Sequence, residues 1–194
     1  MKDNIYEKYN QITTPEELLE FMSYYINYGY LSIDGRVYNY NNEEFFKNWY
    51  NKYVLQTTNQ MLSTKVGTCW DQVEFARDWF LNHNYEIKTI YVMVELNYQN
   101  NYPTHSFLIY KSNNRWNWFE NSDVENRGIH SFNTIDNLIK YQLATYIKLL
   151  KTYDIKDSEL KNIIIKEFKK PKENIKVDEY LNWVVSEKDI KIQL

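Results

Sequence analysis

The stretch that decides the reading runs Val66-Gly67-Thr68-Cys69-Trp70 and continues as DQVEFARDWFLNHN, residues 71–84. Val73, Phe75, Ala76, Trp79 and Phe80 recur at helical spacing, so a partly buried helix is expected, with Cys69 at or within its first turn. A helix N-terminus carries partial positive charge and free N–H groups, and both favour a thiolate. Gly67 permits a tight approach of the chain into that helix, and the Cys69 N–H is positioned to donate to a developing oxyanion.

Downstream, residues 88–96 (KTIYVMVEL), 104–110 (THSFLIY) and 116–120 (WNWFE) are rich in β-branched and aromatic residues and read as strands. Ser112-Asn113-Asn114-Arg115 between the last two is a hairpin signal. A turn there sets His105 opposite residues 120–122, within reach of Glu120 as a cross-strand pair. A carboxylate on one imidazole nitrogen fixes the tautomer and leaves the other nitrogen for a thiol. Asn121 and Asp123 are nearby alternatives to Glu120.

Upstream, Thr14-Pro15-Glu16-Glu17 has the form of a capping box with Pro at the first helical position, and a helix is expected from there through Tyr28. Ile33–Arg36 reads as a turn. A second helix is expected from Asn41 through Val54, with Phe45, Phe46, Trp49 and Tyr53 on its aromatic face, and residues 56–65 read as a polar link. Beyond the hairpin come a short strand over 128–132, a long helix from Asn133 or Thr134 to Thr152, and helical patterns over 158–169 and 178–185.

The order Gly67-Thr68-Cys69-Trp70, then a strand opening with His105, then Trp118-Phe119-Glu120, resembles the transglutaminase-like superfamily of papain-like thiol enzymes. The G-x-C-W tetrapeptide also matches the papain and cathepsin signature. There the histidine lies far downstream, whereas here it follows by 36 residues (105 minus 69). The resemblance spans residues 65–123 and implies that Cys69 is the nucleophile, His105 the general base and acid, and Glu120 the third member. It also implies an oxyanion hole built from the Cys69 amide and an upstream donor, for which Trp49, Gln56 and Gln60 are candidates.

The expected fold is α+β: an antiparallel sheet packed against the helix that carries Cys69, with further helices at both ends. A single domain over residues 1–194 is expected, with its core motif in 60–132 and a C-terminal helical extension in 133–194. The implied chemistry is acyl transfer through a Cys69 thioester, in which water gives a peptidase or amidase and an amine gives a transferase. The alternatives are an arylamine-type acetyltransferase fed by acetyl-CoA and a non-catalytic peptide-binding module on the same fold. The partner expected is a peptide, a protein or a small amide.

Trp70, Asp71 and Trp118 are the candidate substrate-binding residues. For Asp71 and Glu74 the structural alternative is a first-turn acid that complements the helix dipole. His83 and His130 read as structural. A zinc site from Cys69, His105 and His130 matches no usual ligand spacing, so no metal and no cofactor is expected.

Bulk properties narrow the classes further. The 194 residues carry a net charge of -3, with 19 Tyr but only 4 Gly and 3 Pro. There is no basic excess to draw the chain onto nucleic acid or anionic lipid. No apolar run approaches the roughly 20 residues of a spanning helix, and MKDNIYEKYN lacks the apolar stretch of a signal peptide. A cytoplasmic protein is expected. One cysteine forms no internal disulfide, so Cys69 is either core filler or chemistry.

Overall fold

The Ser112–Arg115 hairpin anchors the architecture. Asn113 and Asn114 both take left-handed φ values of 51° and 59°, and Ser112 pairs with Arg115, which makes a two-residue loop of the type that matches strand twist. The computed structural model describes residues 4–97 and 102–190. The class is α+β, with seven α-helices among the described residues.

The elements in chain order are α1 (Ile5–Asn10), α2 (Pro15–Tyr25), β1 (Asn27–Leu31), β2 (Val37–Asn39), α3 (Phe45–Lys52), α4 (Thr58–Thr64), β3 (Val66–Gly67), α5 (Cys69–Asn82), β4 (Ile87–Leu96), β5 (Thr104–Ser112), β6 (Arg115–Glu120), β7 (Gly128–Phe132), α6 (Ile135–Thr152), β8 (Leu160–Phe168), α7 (Val177–Ser186) and β9 (Lys188–Asp189). Six strands form an antiparallel sheet in the order β7-β6-β5-β4-β8-β9. A smaller sheet, β2-β1-β3, joins β1 antiparallel to β2 and parallel to β3.

Alternation along the strands sorts the core. Leu108, Tyr110 and Phe119 meet Phe75, Ala76, Trp79 and Phe80 of α5. Their neighbours Phe107, Ile109 and Trp118 join Leu138, Ile139, Leu143 and Tyr146 of α6. The large sheet is thus covered on both faces, which explains why residues 90–94 read as a continuous apolar run. Each such side chain, fully buried, contributes about 1.5–3 kcal/mol.

Several expectations need correction. The first helix stops at Tyr25, and Asn27–Leu31 continue as β1, where Gly29, Tyr30 and Leu31 pair with β2. The second helix covers only Phe45–Lys52. The link over 56–65 contains α4, opened by a reciprocal cap in which Gln60 N–H donates to Thr57 Oγ1 and Thr57 N–H donates to Gln60 Oε1.

The largest difference is in 158–169, expected helical, where Leu160–Phe168 is a strand paired along nearly all of β4. Its Ile163-Ile164-Ile165 run carries β-branched preference, and the partner that satisfies its backbone lies about 70 residues away in sequence (163 minus 94). The region 133–194 is therefore no purely helical extension, because it supplies two strands of the main sheet. No helix among the described residues is long and apolar enough to cross a membrane.

Candidate active site

Cys69 is the first residue of α5, preceded by Thr68 in extended conformation. Its position is fixed from both sides. A Cβ on Gly67 would stand 3.0 Å from Met61 Sδ and 3.1 Å from Asp71 Cβ, so any side chain there would push Met61 or Asp71 away from the entrance to the helix.

Asp71 then ties that turn down. Its Oδ2 accepts the N–H and hydroxyl of Thr68, at 2.8 and 2.9 Å, while Oδ1 accepts the Gln56 N–H at 2.8 Å and the Tyr53 hydroxyl at 3.1 Å. Burial pushes the Asp71 carboxyl up to about 6, with these four hydrogen bonds working against the rise.

His105 stands at the start of β5 and Glu120 at the end of β6, both at the end of the hairpin away from its turn. Continuing the register from Leu108 and Phe119 sets His105 opposite Ser122, so Glu120 is its diagonal neighbour on the same face. His105 Nε2 and Glu120 Oε2 are 2.8 Å apart. The other Glu120 oxygen accepts from Ser122 N–H, Ser122 Oγ and Asp123 N–H, at 2.7–2.9 Å.

Burial acts to raise the Glu120 carboxyl, but the His105 charge and these hydrogen bonds outweigh it and hold it below its usual range. For His105 burial acts downward, and the Glu120 charge together with the neighbouring Cys69 thiol overrides it, lifting the imidazole to about 10. With Nε2 committed to Glu120, Nδ1 is the ring nitrogen left for the thiol. The ring also lies near-parallel to Tyr146 of α6, with centroids 5.5 Å apart.

Asn121 and Asp123, the alternatives to Glu120, are used elsewhere. Asn121 Nδ2 donates to Gln72 Oε1 at 2.7 Å, and Gln72 in turn donates to Gly67 O, linking the end of β6 to the entrance of α5. The Asp123 carboxylate accepts from Glu125 N–H and Asn126 Nδ2. A cavity of about 10 Å³, room for one water, borders Cys69, Gln72, Ser106, Glu120 and Asn121.

The three residues expected to bind substrate do not line it. Trp70 is buried, stacked on Tyr180 at 4.3 Å and edge-on to Tyr53. Trp118 is buried edge-on to Phe107 under α6. Asp71 has no exposed surface and four protein donors. Aromatic bulk and a buried, saturated carboxylate make these three scaffold. Glu74 likewise is no dipole-facing acid: it is buried in a two-pronged pair with Arg77, at 2.9 and 3.1 Å. Arg77 goes on to Thr89 Oγ1, Phe168 O and Lys169 O, which locks α5 to β4 and β8.

His83 caps the end of α5 with Nδ1 on Trp79 O, and His130 holds Asn126 O beside Trp118. Among the described residues no group of three or more His, Cys, Asp or Glu could hold a metal ion.

One residue that sequence reasoning missed meets the thiol directly. The Tyr28 hydroxyl lies beside both the thiol and the backbone N–H of Cys69. Its ring is edge-on to Tyr40 at 5.9 Å, and Tyr40 hydrogen-bonds Tyr153 past the end of α6. Of the upstream donor candidates, Gln56 bridges Val66 O and Thr64 Oγ1, Gln60 Oε1 caps α4, and the Trp49 ring packs edge-on to Trp70 and Tyr53. Nothing in the local sequence marks Tyr28, because the parallel β1–β3 pairing brings it to the site.

A thiol at a helix N-terminus, an imidazole held on its cationic side and a buried carboxylate behind it form an arrangement able to hold a thiolate–imidazolium pair and to pass one proton to and from it. No protein-family model matches this chain, and no curated protein sequence matches it significantly.

Proposed function

We propose that the chain is a thiol-dependent acyl-transfer enzyme of the transglutaminase-like class, most simply a cysteine peptidase or amidase-type hydrolase. One observation carries the reading: His105 bonds Glu120 through Nε2, which leaves Nδ1 for the neighbouring Cys69 at the first position of α5.

The Cys69 thiolate attacks an amide carbonyl, and a carbon–sulfur bond forms as the carbonyl π pair moves to oxygen. The Cys69 N–H stabilises that oxyanion. Collapse expels the amine, which takes its proton from His105, and leaves a thioester. Water then attacks with His105 as base, releasing the acid and restoring the thiol. Glu120 stays ionised throughout and orients the ring. An amine in place of water would make the product a new amide.

The burial of Cys69, 6% exposed, favours a second reading in which the same fold is a non-catalytic binding module. The rate of iodoacetamide alkylation against pH separates the two. An activated pair gives a plateau extending well below the usual thiol range of about 8.5 and lost in His105→Ala. Labelling only on unfolding would replace the enzyme reading with the module.

A further inference from the structure

We propose that Tyr28 is the second oxyanion donor of this site: its hydroxyl stands beside the place that the tetrahedral oxygen takes and donates to that oxygen. The proposal rests on the thiol acyl-transfer reading.

Placement comes from backbone pairing. Tyr28 stands opposite Gly67 in the parallel β1–β3 pair, two residues ahead of Cys69, so the side chain is delivered to the helix entrance by hydrogen-bonded strands and not by a loop. Its ring packs against the cluster that holds Cys69, and its hydroxyl lies beside the Cys69 N–H and thiol. An oxyanion formed at Cys69 must lie about 2.7–3.1 Å from that same N–H, with its carbon bonded to that same sulfur. The hydroxyl therefore stands beside the oxyanion position.

When a carbonyl oxygen takes the N–H, the hydroxyl proton is left facing the newcomer. Tyr40 at 5.9 Å and Phe45 at 6.2 Å flank the ring and limit how far it swings. Burial, helped by the neighbouring thiol, holds the phenol well above its usual range, so it stays a proton donor while negative charge builds beside it. Gln56 has both amide atoms engaged by Val66 O and Thr64, and Gln60 turns its Oε1 to the Thr57 N–H at the start of α4.

Two reagents separate this role from thiol activation. Iodoacetamide is attacked at a saturated carbon and loses iodide, so no oxyanion forms. p-Nitrophenyl acetate is attacked at a carbonyl and passes through one before p-nitrophenolate leaves. Tyr28→Phe keeps the ring and removes the hydroxyl. The expected result is a fall of about 100-fold in Cys69 acylation, with alkylation within about twofold of the parent.

Both rates are compared on Tyr28→Phe shown to be folded by its circular dichroism and urea midpoint, because an unfolded chain exposes the thiol to iodoacetamide. A parental ratio of the two rates in Tyr28→Phe overturns the proposal and makes Tyr28 a packing residue. Faster acylation overturns it in favour of a plug over the site. A parent whose Cys69 resists both reagents overturns the enzyme reading itself, and this proposal with it.

Discussion

His105 Nε2 and Glu120 Oε2 lie 2.8 Å apart at the end of the β5–β6 hairpin farthest from its turn, both side chains buried. The pair depends on a register fixed seven residues from His105, at Ser112–Arg115, so a local turn sets the geometry of the proposed chemistry.

Glu120→Gln keeps the side-chain shape and removes the charge that holds His105 up. The imidazole loses the partner that fixes its tautomer, and the variant should acylate at least about 100-fold more slowly with p-nitrophenyl acetate. Its alkylation plateau should vanish. Parental acylation with an unchanged pH profile would remove Glu120 from the mechanism.

The same pair predicts a pH window of stability. His105 is lifted from 6.5 to about 10, so its contribution is complete below pH 6.5 and is lost as pH climbs through about 10. Glu120 is lowered from 4.5, so the contribution is present above pH 4.5 and lost as pH falls through the lower folded value. The difference in urea unfolding free energy between parent and Glu120→Gln should peak between about pH 4.5 and 6.5 and shrink toward pH 10. A difference that grows with alkalinity would contradict the ion-pair assignment.

Asp71 offers a test of scaffold against specificity. Asp71→Ala leaves the Tyr53 hydroxyl and the Gln56 and Thr68 N–H groups without their acceptor, and should cost about 2–5 kcal/mol in chemical denaturation. Unchanged stability with altered substrate preference would restore Asp71 to the cleft.

Arg77 binds four partners at once, Glu74, Thr89, Phe168 O and Lys169 O. Arg77→Met should cost about 3–5 kcal/mol by stranding the buried Glu74 charge. Arg77→Lys keeps the charge and still cannot span these partners, so it should fall closer to Arg77→Met than to the parent in melting temperature. A near-parental Arg77→Lys would mean that charge alone matters here.

Local chemistry made some elements legible. Thr14-Pro15 with Glu17 announced α2, Thr134 capped α6 through the Asn137 N–H, and Asn113-Asn114 gave the hairpin its two-residue turn. Cys69 at the entrance to α5 and the side-by-side placement of His105 and Glu120 were readable because one depends on a single helix start and the other on a single hairpin. The capping box at Thr57 and Gln60 was equally local, but it lies in a polar stretch whose only apolar residues are Met61 and Leu62, so it looked like a link.

What resisted reading was set by distant partners. Residues 160–168 mix Lys and Glu with Ile in a way that fits a helix face, and only pairing with β4 makes them a strand. Tyr28 was read as the end of a helix until β3 arrived beside it, and Asp71 read as a cleft residue or a dipole-facing acid until Tyr53 and Gln56 enclosed it. The sequence by itself singled out one thiol and one imidazole and narrowed their third partner to Glu120, Asn121 or Asp123, because caps and turns are short-range. Tertiary structure alone decided which hydroxyl lies beside the thiol and which acid is buried, because burial and strand partnership are properties of chain segments that meet only on folding.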